Sequence, residues 1–156
     1  MLISRYALLF LPAGILSAFF LPAPARAGLP APRLTAPGDG WEVSDIAADF
    51  RWENLTDRKE FWAFCEAQEA QPMARRRKVW HFQLARDAAF ADLARDEQLP
   101  HLAWKQDAGQ RYIPETPIEP GRYFWRVRAI DPEGTPGAWS ASRRLGVVQT
   151  EGTTPP

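Results

Sequence analysis

The chain has 156 residues and balances 19 basic against 19 acidic side chains, so its formal net charge at pH 7 is zero. A nucleic-acid-binding surface needs a clustered basic excess, and this balance argues against one. Beyond residue 27, no stretch is long and apolar enough to cross a membrane as a helix.

The first 27 residues have the pattern of a cleavable export signal. A charged start is followed by an apolar stretch over residues 6–21. The next segment contains Ala25-Arg26-Ala27, a small-x-small cleavage motif that predicts cleavage after Ala27. Ala23-Pro24-Ala25 is an alternative cleavage motif. An uncleaved membrane anchor is disfavoured, because Pro12 and Gly14 interrupt a stretch shorter than the roughly 20 residues of a spanning helix. We therefore expect a periplasmic or secreted protein.

Short strand patterns follow in the first half of the remaining chain. Residues 28–37 are Pro-rich and extended, and the Pro and Gly content of residues 36–40 indicates a turn. Residues 48–52 alternate apolar with polar side chains, which is typical of a half-buried strand, and residues 80–85 repeat that alternation. These patterns predict two strands separated by a long connection.

The connection, residues 53–79, has the composition of a short helix. Helix formers dominate its middle. Thr56 or Asp57 is placed to cap the helix, with Glu60 as a capping-box partner, and Pro72 is placed to end it. We expect this insert to lie on one end of the fold.

The predicted helix has one strongly apolar face. Phe61, Phe64 and Cys65 fall at i, i+3 and i+4, with Trp62 beside them. An exported protein that left them all in water would risk aggregation, so either the domain itself or a partner must cover them. Cys65 is the only cysteine and has no internal disulfide partner. We expect it to be a small buried apolar group, with an intermolecular disulfide as the alternative.

The second half of the chain contains the clearest strand pattern, residues 122–130. Alternation places an aromatic and apolar set on one face and Arg126 and Arg128 on the other. Tyr112 begins a shorter strand before it, and residues 143–148 form a last strand after a turn. Short strands with turns between them predict an all-β fold, a single antiparallel β-sandwich.

Several local motifs together resemble the fibronectin type III family, especially its bacterial envelope members. They are residues 50–52, residues 82–90, the step from Glu119 to Tyr123, and Trp139-Ser140. The resemblance implies an immunoglobulin-like sandwich of residues 28–149, followed by a flexible tail of residues 150–156. It also implies a tyrosine-corner role for Tyr123 and a strand B position for Trp52. The family usually joins strands B and C by a few residues, so residues 53–79 are a departure from it.

Trp139-Ser140 also resembles half of the Trp-Ser-x-Trp-Ser motif of cytokine-receptor domains of the same fold. In that motif the tryptophan stacks on arginines, and Arg126 and Arg128 are placed to do the same for Trp139. The second tryptophan of the motif is missing from this chain. We expect a structural contact here rather than a binding site.

No residue pattern indicates catalysis. The two histidines, His81 and His101, lack the spacing of a metal motif, and no serine lies in a nucleophile elbow. Cys65 with a distant histidine is too little for a thiol enzyme. We expect no catalytic residue, no metal and no cofactor.

The densest group of charges follows the predicted helix: Arg75, Arg76, Arg77 and Lys78. One interpretation is a solvated loop that also guards the next strand from edge pairing. The other is a contact for an anionic partner, such as an acidic glycan, a lipid headgroup or an acidic protein surface.

The sequence favours an exported protein-interaction module that recognises another envelope or secreted protein. Its hypothetical binding residues lie in the insert: Phe61, Trp62, Phe64, Arg75, Arg76, Arg77 and Lys78. A carbohydrate-binding module is the alternative, with exposed rings that stack on sugars among Trp41, Trp62 and Trp104. A third hypothesis is a structural spacer without a discrete ligand. A nucleic-acid partner is not expected.

Overall fold

The structure is a computed structural model that describes residues 28–45, 48–101 and 109–150. The expected signal segment and residues 151–156 of the expected tail lie outside the described residues. The described strands are β1 (Arg33–Ala36), β2 (Trp41–Ser44), β3 (Phe50–Glu53), β4 (Lys78–Ala85), β5 (Leu93–Pro100), β6 (Gly109–Tyr112), β7 (Gly121–Ala129) and β8 (Arg143–Val148). An α-helix, α1 (Lys59–Glu69), and a 3-10 turn (Met73–Arg75) lie between β3 and β4.

The strands form two sheets, which confirms the predicted all-β sandwich. One sheet has the strand order β1-β3-β6, and the other has the order β2-β8-β7-β4-β5. Within these sheets the neighbouring strands are antiparallel, except that β2 runs parallel to β8. The chain leaves the first sheet at the predicted turn, where Gly40 has a φ of 74°, a conformation that favours glycine.

The core lies between the two sheets and is built largely of aromatic rings. Five aromatic side chains are fully buried there: Phe50, Trp52, Trp80, Phe82 and Trp125. Rings from opposite sheets meet edge to face, with centroids 4.8 Å apart for Phe50 and Phe82 and 5.6 Å apart for Trp52 and Trp80. This interlocking packing stabilises a domain whose single cysteine cannot form an internal disulfide.

Helix α1 occupies the insert, as the sequence predicts, and ends at Glu69, before Pro72. Its inner face packs on the sandwich, because Phe61 and Cys65 have no exposed surface and the Phe61 ring centroid lies 6.2 Å from that of Trp80. The helix therefore extends the aromatic core beyond the two sheets. Within the described ranges, no helix combines the length and apolarity needed to cross a membrane.

The predicted cap of this helix is wrong. The residue before the first helical turn is Arg58, and neither Thr56 nor Asp57 caps the helix. Instead, Asn54 Oδ1 accepts a hydrogen bond from the Thr56 N–H at 3.2 Å, and Thr56 Oγ1 accepts one from the Arg58 N–H at 3.3 Å. These bonds shape the approach to the helix, so the Thr56 hydroxyl is engaged before the helix begins and forms no capping box with Glu60.

Tyr123 of β7 forms the bond that the sequence predicts for a tyrosine corner. Its ring is buried, and its hydroxyl donates to the Glu119 carbonyl at 2.8 Å. The bond ties the start of β7 to the segment that precedes it.

Tyr123→Phe is expected to lower the free energy of unfolding by about 0.5–1.5 kcal/mol, because it removes one hydrogen bond and keeps the buried ring. Urea unfolding of the two proteins measures the difference. An unchanged unfolding midpoint would mean that the bond contributes nothing and that the corner assignment is wrong.

Candidate binding surfaces

The aromatic residues of the insert are covered by the domain itself. Phe61 is fully buried, whereas Trp62 and Phe64 are half-buried against the core. The Trp62 indole N–H donates to the Thr56 carbonyl at 3.1 Å, and the Arg77 guanidinium lies 5.4 Å from the centre of the Phe64 ring. Phe61 therefore offers no surface to a partner, and only parts of Trp62 and Phe64 reach water.

The Cys65 thiol lies on the same inner face and has no exposed surface. Burial, with smaller contributions from the Glu69 and Glu66 carboxylates, raises the pKa of the thiol to about 12. The thiol is thus both inaccessible and protonated at neutral pH. This agrees with the expected role of a small buried apolar group.

The four basic side chains after the helix do not form one free patch. Arg76 donates to carbonyl groups at the end of α1 and just beyond it, to Glu69 at 2.9 Å and to Gln71 at 3.0 Å. A cation at this end of a helix also interacts favourably with the helix dipole. The other three side chains are exposed, as the sequence predicts: Arg75, Arg77 and Lys78.

The outer face of the five-stranded sheet carries the predicted stack on Trp139. The guanidinium groups of Arg126 and Arg128 lie 4.2 Å and 4.3 Å from the centre of the Trp139 ring, which confirms the predicted stacking. Arg126 also lies 3.8 Å from the centre of the Phe90 ring and donates to Gln83 Oε1 at 2.7 Å. These contacts hold the segment that carries Trp139 against the sheet.

Both histidines are engaged in hydrogen-bonded or ionic contacts within the fold. His81 Nε2 lies 2.5 Å from Asp96 Oδ1, and Arg128 donates to His81 Nδ1 at 3.2 Å. The bond from His81 is the largest of the contacts that lower the pKa of Asp96. His101 is buried 3.3 Å from Glu69 Oε1, and this burial lowers its pKa. Among the described residues, no group of three or more His, Cys, Asp or Glu side chains is placed to hold a metal ion.

The tryptophans considered for sugar stacking do not form a paired platform within the described residues. Trp41 is 61% exposed, and its ring packs against the backbone of Gly38. Trp62 is half-buried on α1. Trp104 lies outside the described residues. Trp41 is therefore the most exposed of the described candidates.

An open groove lies between β5 and β6, where an edge of one sheet faces an edge of the other; we call it the edge groove. Its volume is about 590 Å³. Its lining includes Lys78, Glu97, Leu99, Tyr112, Ile113 and Met73. In the described part of the chain, β5 pairs with β4 alone and β6 with β3 alone, so both strands have an open edge.

Hydrogen bonds connect the two sides of the edge groove. The Tyr112 hydroxyl donates to Glu97 Oε2 at 2.5 Å. Burial of the hydroxyl, and to a smaller extent this bond, raises the pKa of Tyr112. Arg95 Nη2 donates to Thr116 Oγ1 at 2.6 Å and to the Pro117 carbonyl at 3.0 Å. Arg95 and Glu97 of β5 are thus bonded to residues on the other side of the groove.

The edge groove also exposes apolar surface. Met73 is 56% exposed and Ile113 is 47% exposed. Lys78 is the one residue of the groove's lining that the sequence singles out as a binding candidate. The others escape notice because the groove joins residues far apart in the chain, and no local pattern connects them.

No family model matches this chain. No curated protein matches it either. Solved structures similar to it include a Streptomyces avermitilis α-L-rhamnosidase complexed with L-rhamnose, with 22% identity and a TM-score of 0.36. The match covers 75% of this chain and 10% of the rhamnosidase chain, so this chain spans about a tenth of that enzyme. A likeness with so low a TM-score carries no argument about fold or function.

Proposed function

We propose that this chain is an exported, non-catalytic protein-interaction module with a fibronectin type III-like fold. The strand order supports the fold, because β8-β7-β4-β5 follows the G-F-C-C′ order of immunoglobulin-like sandwiches and β1-β3-β6 follows the order A-B-E. The tyrosine-corner bond of Tyr123 supports it as well. Export to the periplasm or the exterior rests on the pattern of residues 1–27.

The edge groove is the observation that carries the proposed interaction. Exposed Met73 and Ile113 lie beside the edges of β5 and β6, and among the described residues neither edge pairs with a further strand. An extended protein segment fits such a groove, because it bonds to the strand backbone and places alternate side chains on the apolar surface. The proposed partner is therefore an extended segment of another envelope or secreted protein.

The non-catalytic part of the proposal follows from the state of the reactive groups. The Cys65 thiol is buried and protonated, and His81 and His101 are each held by a carboxylate. None of the three faces the edge groove lining. The reactive groups that the sequence offers for catalysis thus lie outside the groove, which supports a role in recognition.

Ile113→Arg is expected to abolish partner capture, because it places a charge on the exposed apolar surface of the edge groove. Tagged protein is cross-linked in envelope extract, and captured proteins are compared between variants. Val148→Arg is the matched control, since Val148 is a similarly exposed β-branched residue, 45% against 47%, that does not line the edge groove and lies on a strand that pairs with neither β5 nor β6.

The proposal predicts a stoichiometric partner that wild type and Val148→Arg capture and that Ile113→Arg loses. Thermal unfolding of all three proteins establishes that each is folded. Equal capture by Ile113→Arg would show that the groove is not the binding surface. Capture of no protein by any variant would favour the structural spacer.

A further inference from the structure

Gly146 lies inside strand β8, where glycine is unfavourable. A strand-interior glycine loses more conformational entropy on folding than other residues and often marks a place where a ligand or another chain approaches closely. The backbone itself does not require glycine there, because the described glycines with a positive φ are Gly40 and Gly134. The reason for Gly146 must therefore be sought in the space above it.

That space is a trough on the outer face of the five-stranded sheet; we call it the Gly146 trough. In the sheet register, Gly146 lies between Glu42 of β2 and Arg122 of β7, and both charged residues line the trough. The Glu42 side chain leans toward Gly146, since a Cβ there would lie 3.0 Å from the Glu42 Cγ. Phe124 and Arg144, which face each other in the next row, also line it. The trough has a volume of about 540 Å³, within the range of ligand-binding sites, roughly 300–1,000 Å³.

The charges in the Gly146 trough balance. Arg144 is paired with Asp39 at 2.7 Å, and hydrogen bonds from Arg144 lower the pKa of Asp39 to about 2. Glu42 and Arg122 make no hydrogen bond or ion pair with the residues that the structure describes. The trough thus offers one free acceptor group and one free donor group, with no net charge to attract an ion.

We infer that the Gly146 trough binds a neutral saccharide. The half-buried Phe124 ring offers an apolar face for a sugar ring, while Arg122 and Glu42 can donate to and accept from its hydroxyl groups. An anionic ligand would meet Glu42, and a cationic one would meet Arg122, so both are disfavoured. The trough and the edge groove share no lining residue, and either proposal can fail alone.

Gly146→Val tests the inference, because it narrows the trough between Glu42 and Arg122 without demanding a new backbone conformation. A Cβ at this position would meet the Glu42 Cγ at 3.0 Å, the middle of a flexible side chain that can move. Gly109→Val is the matched control in β6, where a Cβ would lie 3.9 Å from the Trp52 carbonyl oxygen and would meet no closer atom of the described residues. Arg122→Gln is a second variant that leaves the strand backbone untouched.

The probes are neutral oligosaccharides of cellulose, xylan and chitin, titrated against each protein and followed by NMR chemical shifts. Wild type and Gly109→Val are expected to bind at least one of them with equal affinity. Gly146→Val and Arg122→Gln are expected to lose about tenfold or more in affinity, which corresponds to about 1.4 kcal/mol. Binding of none of the three sugars to wild type would overturn the inference. Full retention of sugar binding by both Gly146→Val and Arg122→Gln would also overturn it.

Discussion

Phe61→Ala is expected to lower the free energy of unfolding by about 3–5 kcal/mol, the range typical of a buried phenylalanine truncated to alanine. The Phe61 ring is fully buried and lies edge to face against Trp80 and Trp62, with centroids 6.2 Å and 5.6 Å away. Its removal leaves a cavity between α1 and the sandwich that rigid aromatic neighbours cannot close. The loss is a large fraction of the roughly 5–15 kcal/mol that stabilises a domain.

Urea unfolding measures this effect against a control on the same helix. Glu66 is exposed on the outer side of α1, so Glu66→Ala is expected to change stability by no more than about 0.5 kcal/mol. A Phe61→Ala protein as stable as the control would show that the helix does not belong to the core. The apolar face of α1 would then be open to a binding partner.

Gly137→Ala is expected to destabilise the domain by about 1–3 kcal/mol, because the added methyl group has no free space. A Cβ at position 137 would lie 2.6 Å from the Leu29 carbonyl oxygen and 2.9 Å from the Leu29 Cβ. That same carbonyl accepts a hydrogen bond from the Ala138 N–H at 3.1 Å, so the two segments cannot separate without losing it. The buried Leu29 side chain would be displaced with them.

Thermal unfolding distinguishes this clash from a general cost of adding a side chain to glycine. Gly109→Ala is the control, since among the described residues its new Cβ would meet only the Trp52 carbonyl oxygen, at an ordinary 3.9 Å. We expect Gly137→Ala to lower the unfolding temperature and Gly109→Ala to leave it unchanged. Equal stability of the two variants would mean that Leu29 is not held against Gly137.

The elements predicted from the sequence are those whose side chains alternate or repeat clearly. The strands around Trp52, Trp80 and Trp125 and the helix around Phe61 were identified because buried faces dictate apolar spacing. Strand β5 is not predicted from the sequence, although it has eight residues. Its four central residues are all polar or charged, because the strand lies at a sheet edge and its Arg95 and Glu97 form hydrogen bonds to the opposite side of the groove.

The binding surfaces were harder to predict than the fold. Helical spacing shows that Phe61, Phe64 and Cys65 share a face, but it cannot show whether a sheet or a partner covers that face. The edge groove depends on β5, whose pattern gives no strand signal. The Gly146 trough depends on cross-strand register, which places Glu42 and Arg122 on either side of Gly146 only after the sheet is assembled.

The inner face of helix α1 belongs to the core, so we propose that recognition takes place on surfaces outside α1. The rate at which a thiol reagent labels Cys65 tests this most directly, because the thiol lies on the buried inner face of α1. With the pKa of the thiol raised to about 12, the isolated native protein is expected to label only as fast as it unfolds. The rate should then rise in urea in step with the unfolded fraction. Rapid labelling of the native protein, followed by protection when envelope extract is added, would contradict this and return the binding surface to α1.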